Sequence, residues 1–163
     1  VAREAGLHSV PHAGEIAGPE SVWGAIRALG AERIGHGVRS VEDPVLVDYL
    51  KEHQIPLEVC PTSHVCLGTY ASLEEHPIRW LWDNGVYVTV NSDDPPMFNT
   101  DLVGEYQAMV DHLGFGAADL ERLSLNALEA SFLPDATKAE LVQSFLSDCS
   151  ELRARQLDRK EPS

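Results

Sequence analysis

Four short segments of the sequence carry side chains that can transfer protons or bind a metal ion. They contain His12 and Glu15 in PHAGE, His36 in RIGHG, Cys60 and His64 in CPTSH, and Asp93 and Asp94 in NSDDPP. Asp, Asn and Ser also cap helices and turns, but capping leaves His12 and His36 without a role because His is not a preferred cap. The four segments therefore predict an active site.

Each of these segments ends a short apolar run that is typical of a buried β-strand. The predicted strands cover residues 7–12, 33–37, 56–63 and 86–96, and helical segments separate them. One strand every 23 to 30 residues is the spacing of β-α units, so the alternation predicts a parallel sheet covered on both faces. A doubly wound sheet and a (β/α)8 barrel share this pattern, and in both the carboxyl ends of the strands form the active face.

Proline, glycine and aspartate mark the ends of the predicted helices. These helices cover residues 18–30, 43–53, 76–85 and, approximately, 101–113, 117–132 and 135–157. Trp23, Trp80 and Trp82 fall within them, so we expect these three side chains to pack in the core. Glu58 lies between apolar residues in a strand and requires a buried partner, which the sequence does not identify.

The composition excludes several classes of protein. The 163 residues include 12 Lys and Arg against 26 Asp and Glu, a formal net charge of −14. Nucleic-acid and anionic-membrane partners are therefore not expected, because both require clustered basic residues. No apolar run approaches the ~20 residues of a membrane-spanning helix. Without a signal-peptide pattern, the three cysteines are expected to be reduced and packed in a cytoplasmic protein.

The four segments, taken in order, resemble the strand-end motifs of adenosine deaminases and their relatives. The motifs are PHAGE at 11–15, ERIGHG at 32–37, LEVCPTS at 57–63 and VNSDDPPMF at 90–98, and the resemblance extends from about residue 5 to residue 133. It implies a (β/α)8 barrel with one zinc ion that hydrolytically deaminates a 6-aminopurine. The signature of the cytidine-type zinc deaminases, H-x-E with P-C-x-x-C, is absent from the sequence.

The resemblance implies a role for five residues. His12 matches the zinc-binding His of HAGE, and Asp93 matches the zinc-binding Asp of the DD pair. Glu15 matches the Glu that handles the proton on purine N1, and His36 matches the His that contacts the zinc-bound water. Asp94 matches the acid that contacts purine N7. The structural alternatives are a core histidine for His12, a helix N-terminal acid for Glu15 and a turn cap for Asp93.

The sequence also departs from the family. Two further zinc ligands in the family form a His-x-His motif, which this sequence lacks, and His64 stands where the family usually has Asn. A (β/α)8 barrel typically needs ~250 residues. We therefore expect residues 1–163 to be the C-terminal portion of one barrel domain, with four β-α units plus terminal helices and without the N-terminal half. Its open sheet edges are then expected to require the missing half or a second copy.

These observations predict zinc-dependent deamination of a 6-aminopurine nucleoside, adenosine or a close relative. The PPMF segment followed by NTDLVGEY resembles deaminases of aminofutalosine in menaquinone biosynthesis at least as closely, and adenine deaminases share the same zinc site. A further alternative is an inactive half-barrel, lacking two zinc ligands, with a binding or assembly role. Another amidohydrolase-type barrel is less favoured because Glu15 and the DDPP pair resemble deaminases.

Overall fold

The computed structural model describes residues 3–156, and its centre is a sheet of four short parallel strands. These are β1 (His12–Ala13), β2 (Ile34–His36), β3 (Leu57–Val59) and β4 (Val88–Val90). The strands lie in chain order, with Ala13 opposite His36 and Val59 opposite Val90. A helix or helical turn lies between each pair of consecutive strands, which confirms the predicted α/β class.

The helices begin and end close to the predicted boundaries. They are α1 (Pro19–Gly24), α2 (Pro44–His53), α3 (Pro61–Cys66), α4 (Ile78–Asp83), α5 (Pro95–Phe98), α6 (Leu102–Leu113), α7 (Ala117–Ala130) and α8 (Asp135–Gln156). The segment Ala25–Leu29 continues α1 as a π-helix, and Arg3–Ala5 and Val38–Glu42 are 3-10 turns. Residue 157, the predicted end of the last helix, lies outside the described residues.

Three strand predictions missed the observed bounds. The strand expected over 7–12 is limited to His12–Ala13, and two others were too long because proline begins a helix early. The strand expected over 56–63 ends at Val59, and Pro61 opens α3. The strand expected over 86–96 ends at Val90, and Pro95 opens α5. Proline fixes φ near its helical value and lacks an N–H, so it suits the first helical turn and cannot donate to a sheet.

The core fills the space between the sheet and its covering helices. Ile34, Leu57 and Val88 of the strands are completely buried, as are Leu46 and Leu50 of α2. Burying a side chain of this size contributes ~1.5–3 kcal/mol. These strand residues lie opposite one another on one face of the sheet, which the helices cover, whereas Gly35 and Glu58 on the other face line an open cavity, so the expected cover on both faces is not observed among residues 3–156.

Helix α7 is fixed to the last strand by hydrogen bonds as well as by packing. The Asn126 side chain donates from Nδ2 to the carbonyl oxygen of Val88 over 2.9 Å, and the Tyr87 hydroxyl donates to the Asn126 carbonyl. Helix α8, by contrast, has no buried residue. None of the helices among residues 3–156 is long and apolar enough to cross a membrane.

Two expectations about side-chain packing were wrong in part. Trp23 and Trp82 pack against the core, but Trp80 is 47% exposed. Ile78 and Leu81 form the inward face of α4, and at 100° per residue Trp80 falls on the opposite side. Among the cysteines expected to pack, Cys60 is buried and Cys149 is partly buried, whereas Cys66 is exposed at the end of α3.

Candidate active site

The carboxyl ends of all four strands meet around one cavity. His12, His36, Cys60 and Asp93 line this cavity, which has a volume of about 490 Å³ and opens to solvent. His12 begins β1, His36 ends β2, and Cys60 and Asp93 follow β3 and β4. Parallel pairing places these positions at the same edge of the sheet, as the sequence predicted.

His36 is the centre of the cluster. Its Nε2 lies 3.3 Å from Nδ1 of His12 and 3.6 Å from Oε2 of Glu15. Ligand atoms of His12, Glu15 and His36 all lie within 4.8 Å of one another, and the same holds for His36, Cys60 and Asp93. The structure therefore brings together four of the five residues to which a role was predicted, with Cys60 beside them.

Two of these residues have a backbone conformation that side chains rarely adopt. His36 has φ of 68° and Asp93 has φ of 59°, both in the left-handed region. Such conformations cost about 1–3 kcal/mol each and occur often at functional sites. Asp93 is further held by Ser63, whose Oγ donates to Oδ2 over 2.7 Å. The surrounding fold therefore directs both side chains toward the cavity at a cost in stability.

Gly35 leaves room for the side chain of His12. A Cβ atom added to Gly35 would lie 2.5 Å from Cδ2 and 3.1 Å from Nε2 of His12. The imidazole of His12 therefore rests directly on the backbone of β2.

Burial and neighbouring charges shift the pKa values of two side chains in the cluster, His36 and Cys60. Burial lowers the pKa of His36, and the negative charge of Glu15 opposes that effect. Burial raises the pKa of the Cys60 thiol far above its usual value, with Asp93 adding to the shift. The thiol of Cys60 is therefore held protonated by its surroundings. His12 and Asp93, the two predicted zinc ligands, offer an imidazole and a carboxylate, which are donor types that bind zinc in proteins.

Asp94 takes a different position from its neighbour. It is exposed and is the N-cap of α5, where its Oδ1 accepts a hydrogen bond from the backbone N–H of Met97 over 3.0 Å. It does not line the cavity at the strand ends. The role in contacting purine N7, which the family resemblance implies, stays a prediction.

Glu105 is a site-supporting residue that the sequence analysis missed. It is completely buried on α6 and accepts hydrogen bonds from the backbone N–H of Thr62 and from the hydroxyl of Thr100. It thereby joins the first turn of α3 to the loop after α5. The available signal was its place on the same helical stripe as Met109 and Leu113, where a carboxylate needs partners.

Two further histidines lie behind the site and were not predicted to belong to it. His64 and His76 are both buried, and His64 contacts His36 directly. His64 was noted only as a departure from the family. Glu58, whose partner the sequence left open, pairs with Arg33, with Nε and Oε1 2.8 Å apart.

Comparison with known proteins agrees with this arrangement. Residues 1–147 match the family model described as adenosine deaminase. The chain is 49% identical over 142 residues to an adenosine deaminase of Klebsiella pneumoniae, covering 87% of this chain and 43% of that protein. It is 53% identical over 137 residues to an aminodeoxyfutalosine deaminase of Streptomyces avermitilis, covering 84% of this chain and 38% of that protein.

Two solved structures have the same fold. An adenine deaminase of Arthrobacter aurescens superposes with a TM-score of 0.89 at 36% identity, covering 91% of this chain and 46% of that one. An amidohydrolase of Burkholderia ambifaria, solved with bound Zn, gives a TM-score of 0.86 at 29% identity, covering 94% of this chain and 43% of that one.

The chain thus spans less than half the length of the proteins that it matches. Its four β-α units correspond to one part of a larger amidohydrolase barrel, as predicted for half of a (β/α)8 fold. The family model covers all four strand-end segments from His12 to Asp94. With the strand order, the grouped side chains and these matches together, the chain belongs to the adenosine deaminase family.

Proposed function

We propose that the protein hydrolytically deaminates a 6-aminopurine nucleoside, adenosine or a close relative, with the help of one zinc ion. The observation that carries this proposal is the convergence of His12, His36 and Asp93 on one cavity, with Glu15 beside His36. Membership of the adenosine deaminase family supports the same reaction. A cytoplasmic location belongs to the proposal as well.

The names of the similar proteins support the choice of the proposed substrate. The chain has nearly equal identity to an adenosine deaminase and to an aminodeoxyfutalosine deaminase. Both substrates that these names imply contain a 6-aminopurine joined to a sugar, so this shared group is the proposed target. Aminofutalosine-type compounds are the second candidate, favoured by the 53% identity to the Streptomyces enzyme. Free adenine is the third, favoured by the fold match to an adenine deaminase.

In the proposed reaction, the oxygen of water adds to C6 of the purine and N1 takes up a proton. The bond from C6 to the amino nitrogen then breaks as the added hydroxyl gives its proton to that nitrogen, which releases ammonia and the 6-oxo product. Zinc, when bound by His12 and Asp93, supplies the Lewis acidity that activates water at neutral pH. Ser63 holds the Asp93 carboxylate in place. Glu15, next to the cavity and 3.6 Å from His36, is the residue proposed to deliver the proton to N1.

We further propose that the active enzyme contains, besides residues 1–163, the other half of the barrel with two more zinc-binding histidines. Among the described residues, β1 pairs only with β2, and β4 pairs only with β3. Each outer strand therefore has a free edge at which further parallel strands can pair.

The role of Glu15 is tested by Glu15→Gln in the protein that contains this chain. The amide keeps the shape of the side chain but cannot release a proton, so we expect zinc content to be unchanged and turnover of adenosine to fall by roughly 10²–10⁴-fold. Metal analysis and the ultraviolet absorbance change on deamination provide the two readouts. The exposed Glu52 of α2, changed to Gln, is the matched control and should retain full activity. Normal turnover by Glu15→Gln would refute the assigned role.

A further inference from the structure

A continuous row of hydrogen-bonded imidazoles runs from the cavity into the protein interior. His36 Nδ1 lies 3.0 Å from His64 Nε2, and His64 Nδ1 lies 2.9 Å from His76 Nε2. At the far end, the backbone N–H of Ile78 donates to Nδ1 of His76 over 3.2 Å. We call His36, His64 and His76 the histidine row. It links the end of β2, helix α3 and the segment before α4.

The backbone amide at the inner end fixes where every proton in the row must lie. A peptide N–H can only donate, so Nδ1 of His76 accepts and the ring carries its proton on Nε2. That proton points at Nδ1 of His64, which must accept it, so His64 in turn carries its proton on Nε2. The same reasoning places an N–H of His64 against Nδ1 of His36.

From this geometry we infer that His64 and His76 are positioning residues, which hold His36 as a neutral imidazole with its single proton on Nε2, facing the cavity. The inference deepens the proposed function and rests on it for the catalytic use of His36. In this tautomer Nε2 has no free lone pair, so His36 can only donate there and does not act as a base. The acceptors beside it are Nδ1 of His12 at 3.3 Å and Oε2 of Glu15 at 3.6 Å.

The surroundings of the row favour neutral rings. His64 is fully buried, and His36 and His76 are 2% and 3% exposed. Burial, with the neighbouring histidines adding to the effect, lowers the pKa of His64 and of His76 to about 3. The Tyr70 ring packs edge-on against both of these imidazoles and shields them from solvent. The charged group nearest the cavity end, Glu15, faces Nε2 of His36, where it can accept a hydrogen bond.

If His36 is held as a donor, a different group must handle the proton that water gives up. Reversing the row would place an N–H on Nδ1 of His76 against the N–H of Ile78 and would lose that bond. An unpaired buried donor costs ~1–3 kcal/mol, which keeps the row in one direction. His12, the other titratable side chain beside Nε2 of His36, is assigned to the proposed zinc ion, so Glu15 is the group that can both accept and return a proton.

The proton positions are measured directly by two-bond ¹H–¹⁵N NMR of the protein labelled with ¹⁵N-histidine, at about pH 8, above the ordinary histidine pKa. We expect His36, His64 and His76 each to show a protonated Nε2 and an unprotonated Nδ1. His53 provides an internal reference of the opposite kind, because its Nδ1 lies 3.0 Å from the carbonyl of Tyr49 and must donate. A His36 ring with its proton on Nδ1 would overturn the inference, and this measurement needs no variant.

Two substitutions of His64 then test whether the histidine row determines the position of the proton on His36. In His64→Leu, Nδ1 of His36 loses its donor, so we expect the Nδ1–H form of His36 to appear in the spectrum. We also expect kcat to fall by roughly tenfold or more with little change in KM. His64→Gln retains an N–H near the original Nε2 position and should restore both readouts in large part. A His36 spectrum that is identical in all three proteins would refute the positioning role.

The two proposals fail in different ways. If the protein lacks deaminase activity but the spectrum shows the expected proton positions, the proposed function is wrong and the histidine row stands. If the protein deaminates adenosine while His36 carries its proton on Nδ1, the row is wrong and the proposed function stands. His76→Leu, which acts one ring further from the cavity, gives the same test should His64→Leu fail to fold.

Discussion

At the scale of single residues, the site depends on a close contact between a ring and a backbone. Gly35 of β2 has no side chain and lies opposite His12 of β1. The ring of His12 occupies the space that a Cβ atom on Gly35 would fill. The position of a proposed zinc ligand is therefore set by a residue that carries no chemistry itself.

Changing Gly35 to Ala should displace the His12 ring, since the new methyl group would lie 2.5 Å from Cδ2. We expect zinc affinity of the protein to fall by roughly 10–100-fold, the range seen when a ligand's support is altered. Gly24→Ala is the control, because no atom lies within 4 Å of a Cβ at that helical position. Zinc titration with a fluorescent chelator measures the difference, and unchanged affinity in Gly35→Ala would show that His12 adapts freely.

Residue types predicted the cavity-facing side chains well and the supporting side chains poorly. His12, Glu15, His36 and Asp93 are recognisable because they stand in short motifs at strand ends. The contacts of Glu105 and His76 join positions 43 and 12 residues apart, and no local pattern specifies such partners. The left-handed backbone of His36 was also not predictable, because only a few per cent of non-glycine residues adopt it, even though histidine is enriched among them.

At the scale of elements, the histidine row connects β2 to helix α3 and to the segment before α4, and this connection should make stability depend on pH. His64 and His76 have a pKa of about 3 in the folded protein and about 6.5 when unfolded. Below pH 6.5 the unfolded chain therefore binds more protons than the folded one, and the free energy of unfolding decreases as pH falls toward 3.

At about pH 5 the loss should reach roughly 2 kcal/mol for each of the two histidines. His64 faces His36 and the charge of Asp93, and the Asp93 charge opposes part of this effect. Urea denaturation between pH 7 and about pH 5 measures it. In His76→Leu the free energy of unfolding should depend less steeply on pH. The control His53→Leu, at an exposed position, should keep the pH dependence of the unchanged protein. A free energy of unfolding that does not change over this range would contradict the assignment of neutral buried rings.

Element boundaries were predictable where proline or aspartate begins a helix. Asp43 caps α2 by accepting from Val45 and Leu46, and the predicted helix matches the observed one to within a residue. The π-helical continuation of α1 over Ala25–Leu29 was not predictable, because its residues are ordinary helix formers and packing decides their geometry. Strand length failed for a related reason, since apolar runs extend beyond the residues that actually pair.

At the scale of the whole molecule, the chain carries two proposed zinc ligands on a sheet with two free edges. Produced by itself, the 163-residue chain should not retain stoichiometric zinc after dialysis and should not deaminate adenosine. The physical reason is that zinc sites of this kind need three or more protein ligands. Metal analysis and the ultraviolet assay are the measurements. One firmly held zinc with turnover would show that the chain is sufficient, and activity only after addition of the missing half would support the proposal.

The left-handed backbone at His36 and Asp93 has a consequence for attempts to engineer the protein. Replacing either residue by glycine would relieve an unfavourable conformation and would delete a side chain of the site in the same step. A selection that rewards only heat resistance would thus favour inactive variants at these two positions. Improved variants of this protein must therefore be selected for activity and thermal resistance together.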